Sequence, residues 1–514
     1  MWNVTIEMFD GFVQRMCMSE LSDKELDALI EKAKGGDAGA QCEVAQLLYD
    51  CAGADEDYVT AFEWYQKSAE QGNADAQFRL GFMYYYGKGV NQDFAKAFEW
   101  YKKSAELGNE FAQYSLGFMY YYGNGVEQNY AKAFEWYVKS ADQGEKFAQC
   151  RLGEMYFWGE GIEQDYVKAF EWFKKSAEQN DSDAQDYLGN MYLHGDGMKQ
   201  DYSKAFEWFE KSALQGNSAA QFNLGVLYYN GIGVEQNYAN AFDWLKKSAD
   251  QGEECAPWAQ YKLGCMYYFG KGVKQDYASA FEWFKKSAEK NDSDAQEYLG
   301  YMYYNGIGVE QNYDEAYEWF KKSAKLGNEF AQYSLGFMYY YGNGVEQNYK
   351  KAIEWYEKSA EQGNSDAQFK LGVMYVFSKG VDRSGKVVYR SGKGMEQKGM
   401  DWMYQSAKNN NSDAQYLMGT LRAWHEDFRE AFGWYQKSAE LGNDNAQFKL
   451  GMMYYYGNGV EKDYDEAFKW FKKSAKQGND TAQKWLDGKF DGGQLEFSFK
   501  YKNEEGINAR RERK

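Results

Sequence analysis

Histidine is the usual carrier of proton transfer and zinc binding, and this 514-residue chain has only two, His194 and His425, far apart in the sequence. Ser287 and Lys290 fit the S-x-x-K spacing of penicillin-recognising hydrolases. Neither S-D-N nor K-T-G accompanies them, and the pair lies in a Lys-Lys-Ser-Ala segment that the chain repeats. GVDRSGKV, from Gly380 to Val387, approaches the phosphate-binding form G-x-x-x-x-G-K-[ST], but Val387 stands where a metal-binding hydroxyl is needed and no buried strand precedes it. The six cysteines share no repeat position, so they read as free thiols in a reducing compartment. These residues predict no catalytic site, no metal and no cofactor.

What the chain has in abundance is aromatic residues, and their spacing is regular. Trp64, Trp100, Trp136, Trp172, Trp208, Trp244, Trp283, Trp319, Trp355, Trp402, Trp434 and Trp470 follow one another at 36 residues, with one spacing each of 39, 47 and 32. A fixed period of this size means a solenoid in which each unit packs on its neighbours. In the unit AQFRLGFMYYYGKGVNQDFAKAFEWYKKSAELGNEF, Ala76, Leu80, Met83 and Tyr84 recur at helical spacing, as do Ala97, Trp100, Tyr101, Ser104 and Ala105. Gly87 and Gly89 stop the first helix, Asp93 caps the second, and Gly108 with Asn109 ends it. Gly81, inside the first helix, costs roughly 1 kcal/mol against alanine; close approach of the partner helix, with the Trp100-type indole beside it, is the expected compensation.

The pattern A-x-x-x-L-G-x-x-Y-x-x-G-x-G-V followed by K-A-x-x-W-x-x-K-S-A resembles the Sel1-like repeat, a relative of the tetratricopeptide repeat, over about residues 36 to 488. The resemblance implies an all-α fold, an α/α solenoid forming a right-handed superhelix of about twelve helix hairpins, which acts as a scaffold or adaptor. An N-terminal extension (1–20) and a capping helix (21–36, with Ser22 and Glu25 as a capping box) precede the repeats at 37–488. A strand-like segment and basic tail (489–514) follow. A basic insertion at 379–394 reads as a hairpin with Ser-Gly turns; Arg383, Lys386, Arg390 and Lys393 are a possible secondary contact. Residues 107–130 and 326–349 are the same 24-residue string, a sign of internal duplication.

The resemblance also implies that first helices line the concave side. Their positions outside the expected core are rich in aromatic rings: Phe78, Phe82, Tyr85, Tyr86, Tyr114, Phe118, Tyr121, Tyr122, Trp158, Tyr261, Tyr268, Phe269, Tyr333, Phe337, Tyr340 and Tyr341. Tyrosine gives large contact area at low entropy cost, which suits a groove for a peptide or partner helix. Packing between neighbouring first helices is the competing reading of the same rings. The net charge of -19 opposes nucleic acid and anionic membranes as partners. With no signal peptide or membrane span apparent, a cytoplasmic protein is expected, signal-independent secretion being the alternative. The expected function is a non-enzymatic scaffold holding peptide or helical segments of protein partners. A secreted bacterial effector that binds host proteins is the second reading, and a penicillin-binding or β-lactamase-type hydrolase a distant third. The oligomeric state and the partner's identity are not written in the sequence.

Overall fold

In the computed structural model, the described residues are 23–53, 55–252, 255–376, 380–381, 387–388 and 393–487. They form a lone helix, Asp23–Lys34, followed by twelve helix hairpins and a closing helix, Asp480–Leu486, and contacts divide the chain into two compact units at Lys290 and Asn291. Repeats one to seven fall in the first unit and repeats eight to twelve in the second. Apart from helices, the described residues contain one antiparallel ribbon, with Gly380 opposite Val388 and Val381 opposite Val387. This ribbon lies in the 379–394 insertion, so the phosphate-loop resemblance is flanked by a hairpin and not by strand and helix.

The hairpin follows from local chemistry. In the second repeat, Asn73 accepts from Ala76 N to start the first helix, Ala74–Tyr86, and Gly87 closes it in the left-handed conformation. Asp93 accepts from Lys96 N to start the second helix, Phe94–Glu106. The second glycine of the G-x-G loop has a different task. A Cβ on Gly125 would lie 2.4 Å from the Phe94 carbonyl, because the loop of one repeat rests on the start of the preceding second helix.

No hairpin builds a core alone. The cluster of Ala97, Tyr101, Ala105, Ala112, Leu116 and Met119 joins the second helix of one repeat to the first helix of the next, Glu110–Tyr122. Two buried polar bonds recur with it. The serine of the K-S-A segment, or of Gln405-Ser406-Ala407 in the tenth repeat, donates to the carbonyl near the start of its own first helix in all twelve repeats, as Ser104 does to Ala74 O at 2.7 Å. A first-helix glutamine donates back to the preceding second helix, as Gln77 does to Ala69 O at 3.0 Å. Satisfying buried groups in this way fixes the register of helix on helix.

Two expectations need correction. The space beside the in-helix glycine is filled by the residue after the tryptophan: a Cβ on Gly81 would lie 2.5 Å from the Tyr101 ring, and one on Gly117 2.6 Å from Tyr137. Trp136 packs instead on the cluster shared by helices Phe94–Glu106 and Glu110–Tyr122, with Lys139 Nζ 3.8 Å from its ring centre. Tyr84-type rings are half-buried for the most part and sit between repeats, Tyr84 edge-on to Phe62 at 5.4 Å and Tyr120 edge-on to Phe98 at 5.4 Å. The extra residues before the seventh repeat place Pro257 in the first turn of helix Ala256–Phe269, where its missing N–H costs nothing. The capping box lies partly outside the described residues, as Ser22 does, but the capping helix itself buries Leu26, Ile30 and Ala33.

Candidate interaction surface

Successive first helices touch one another, as Lys146–Trp158 does Ser182–His194 and as Ser293–Asn305 does Glu329–Tyr341, more closely than successive second helices do. The rings proposed from sequence all stand on first helices and divide into two populations.

The first population is half-buried and packs either on the second helix of its own repeat or on a neighbouring repeat. Tyr85 meets Phe118 of the next repeat at 6.4 Å and Phe94 of its own second helix at 5.0 Å, and its hydroxyl accepts from Asn124 at 2.9 Å. Phe82 faces Tyr49 of the preceding repeat at 6.3 Å, and Phe78 packs on Tyr101 at 5.8 Å. In the third repeat Tyr114 packs on Tyr137, and Tyr121 meets Tyr130 at 5.1 Å and bonds to Glu160. In the second unit Tyr333 packs on Tyr356, Tyr340 meets Tyr349, and Tyr304 meets Phe337 at 6.3 Å. Tyr261 and Tyr268 lie on Phe284 in the same manner, with Phe269 half-buried beside Tyr268. The second population is open. Tyr86, Tyr122, Trp158, Tyr341 and Tyr456 are exposed at the C-terminal ends of first helices, and Tyr86 and Tyr122 lie 4.5 Å from Phe82 and Phe118.

Further exposed rings occupy a position outside that set. Phe111, Phe147, Trp258 and Phe330 sit one residue before the leading alanine of their first helices. The other repeats place Asp, Asn, Gly or Ala there, so a bulky ring against a small or polar background was the available signal.

The aromatic run breaks in the fourth and fifth repeats. Arg151 pairs with Glu154, and burial raises the Glu154 carboxyl even though Arg151 opposes the shift. Asp186 accepts from Asn190 of its own helix at 3.0 Å and from Asn223 of the next repeat at 3.2 Å. Burial pushes its carboxyl up to about 7 against those hydrogen bonds, and the charge of Asp183 adds to the rise.

The candidates for chemistry find structural uses. Ser287 is buried and donates to Pro257 O at 2.8 Å, the bond its equivalents make in every repeat. His194 ends helix Ser182–His194 and His425 follows helix Ser412–Trp424. Among the described residues no cluster of metal-ligating side chains occurs, Cys42, Cys51 and Cys150 carry free thiols, and no helix is long and apolar enough to cross a membrane. Arg383, Lys386 and Arg390 lie outside the described residues, as do the side chain of Lys393, the 1–20 extension, and the strand-like segment with its tail.

Tandem helix hairpins with a shared core and ring-rich first helices define an α/α repeat protein of the interaction-scaffold class. The chain belongs to the Sel1 repeat family, whose profile matches twelve times in succession, from residues 38–73 to residues 444–479, the longest match spanning 365–411. It is similar to c5321, described as a protective antigen present in uropathogenic Escherichia coli strains, at 37% identity over 84% of this chain and 91% of that one, with a TM-score of 0.69. A Sel1 repeat protein from Oxalobacter formigenes is 32% identical over 63% of this chain and 93% of its own, with a TM-score of 0.47. A comparison with curated proteins returns no match.

Proposed function

We propose that the protein is a non-enzymatic scaffold that holds peptide or helical segments of partner proteins against the aromatic inner face of its first helices. The observation that carries this reading is the pair of populations: a rigid layer of half-buried rings with Tyr86, Tyr122, Trp158, Tyr341 and Tyr456 exposed above it. Exposed aromatic rings held by a stiff support lose little entropy on binding, the property that makes Tyr and Trp frequent interface anchors. The acidic balance of 59 Lys+Arg against 78 Asp+Glu favours neutral or basic partners.

The test is capture of partners from lysate of the source cell. Wild type is compared with Tyr86→Ala/Tyr122→Ala/Trp158→Ala/Tyr341→Ala and with Phe468→Ala, an exposed ring on a second helix. Proteins retained by wild type and Phe468→Ala but lost from the quadruple variant support the inner face; equal retention by all three removes it. The likeness to c5321, a protein described as a protective antigen, favours a second reading in which the partners belong to a host. Retention of host-cell proteins but none from the source cell would select it. The basic insertion at 379–394 is proposed as a secondary contact on charge alone.

A further inference from the structure

Four positions of each first helix, counted -1, +2, +6 and +10 from the leading alanine, fall within one narrow stripe, since 3, 7 and 11 residues are close to whole turns. In the duplicated string all four are aromatic: Phe111, Tyr114, Phe118 and Tyr122 in one copy, Phe330, Tyr333, Phe337 and Tyr341 in the other. None of the other ten repeats fills all four with rings. One copy lies in each compact unit.

The two stripes have the same geometry. Tyr114 and Phe118 are 6.5 Å apart at 45°, Tyr333 and Phe337 6.4 Å at 47°. Phe118 and Tyr122 are 4.5 Å apart, Phe337 and Tyr341 4.3 Å. The flanking tyrosine of the preceding repeat is held alike, by Asn124 on Tyr85 and by Asn343 on Tyr304. Both ends of each stripe are open, with Phe111 49%, Tyr122 47%, Phe330 48% and Tyr341 39% exposed.

Placing phenylalanine at the first stripe position sacrifices something in the second copy. Five repeats have Asp there, and it accepts from the capping Asn of the next repeat, as Asp75 does from Asn109 at 2.9 Å and Asp294 from Asn328 at 2.8 Å. Such a bond contributes about 1 kcal/mol; Phe330 gives it up beside the capping Asn364, whereas Phe111 precedes a repeat capped by Glu145, which only accepts, and packs on Phe78 at 5.9 Å while staying half exposed. Carboxylates stand at one end of each stripe, Asp75 and Glu110 in one copy and Asp294 and Glu329 in the other, and the duplicated string itself contains no Lys or Arg; in the first copy Arg151 of the next repeat reaches Tyr114 and pairs with Glu154.

We infer that the protein carries two equivalent docking stripes, Phe111 to Tyr122 and Phe330 to Tyr341, each taking an extended, arginine- or lysine-bearing segment of a partner. Eleven residues of helix run about 16 Å, the reach of about five residues of extended chain. Aromatic faces with a carboxylate end suit a cation flanked by apolar atoms, and the protein shows the contact internally, with Lys271 Nζ 5.2 Å from the Tyr229 ring centre. Two equal sites on one chain take two copies of the segment, one in each compact unit. The inference rests on the inner-face reading above and assigns its ligand and valence.

The test is calorimetric titration of the full chain with two seven-residue peptides, Gly-Arg-Pro-Arg-Pro-Arg-Gly and its Glu-for-Arg counterpart, at about 0.15 M salt where surface attraction is screened. Wild type is expected to bind two equivalents of the arginine peptide and none of the glutamate one. Phe111→Ala/Tyr122→Ala and Phe330→Ala/Tyr341→Ala, which alter no charge, are each expected to bind one, and the quadruple variant none. A single equivalent in wild type, abolished by one double variant, overturns the equivalence while leaving the inner face standing. Two equivalents in every variant overturn both. No binding of the arginine peptide overturns the assignment of a basic segment.

Discussion

At the scale of the residue, the glycine inside each first helix shows how packing overrides propensity. Alanine would be the better helix former at Gly117, yet its Cβ would stand 2.6 Å from the Tyr137 ring, which is fully buried. Gly117→Ala is expected to lower stability by about 1–3 kcal/mol, the usual cost of overpacking, read as a lower midpoint in chemical denaturation. Asp186 supplies a pH dependence. Its folded-state value of about 7 exceeds the unfolded value of about 3.9. The folded chain therefore holds the extra proton between the two values, and the residue's contribution falls as pH rises through that window. Asp186→Asn should stabilise the protein relative to wild type at pH 8, with the difference vanishing near pH 4; a difference independent of pH would refute the assignment. Sequence reasoning found the glycine and its need for a close neighbour but chose Trp100 over Tyr101. Both are apolar and adjacent, and periodicity alone does not say which of two rings about 100° apart faces the hairpin partner.

At the scale of the element, helix boundaries were legible because capping is local chemistry. The Asp or Asn before most helices and the glycine after most first helices stand where the structure has caps, with Glu145 and Cys255 before two first helices and Cys51 and His425 after two others as exceptions. The division of three consecutive tyrosines, Tyr84, Tyr85 and Tyr86, was not legible. They sweep about 200° of helix surface, and only the position of the neighbouring repeat decides which ring it covers. Because each core cluster joins a second helix to the following first helix, the folding unit can be shifted by whole repeats. Deleting residues 110–145 is expected to preserve a cooperative helical melt, since Asn109 would then cap the helix that begins at Lys146, as Glu145 does now. Deleting residues 110–127 alone should expose the face of Ala97, Tyr101 and Ala105 and give a broadened melt by circular dichroism. The capping helix Asp23–Lys34 covers the first repeat through Leu26, Ile30 and Ala33. Ile30→Ala is expected to cost about 2–5 kcal/mol, with faster hydrogen exchange confined to the first repeats.

At the scale of the molecule, the sequence made the repeat architecture plain, because a dozen copies of one pattern leave a single way to bury their apolar faces. The aromatic face was legible only in outline. Phe111, Phe147, Trp258 and Phe330 escaped notice since they precede the leading alanine from which the helix positions were counted. The central claim is that partners bind on the first-helix side, and a photo-reactive benzoylphenylalanine tests it without removing any contact from the core. Placed at Tyr122 or Tyr341, both exposed on first helices, it should form covalent adducts with the partners retained in the capture experiment. Placed at Tyr202 or Phe468, exposed on second helices, it should form none. Adducts from Tyr202 or Phe468 with none from Tyr122 or Tyr341 would contradict the account.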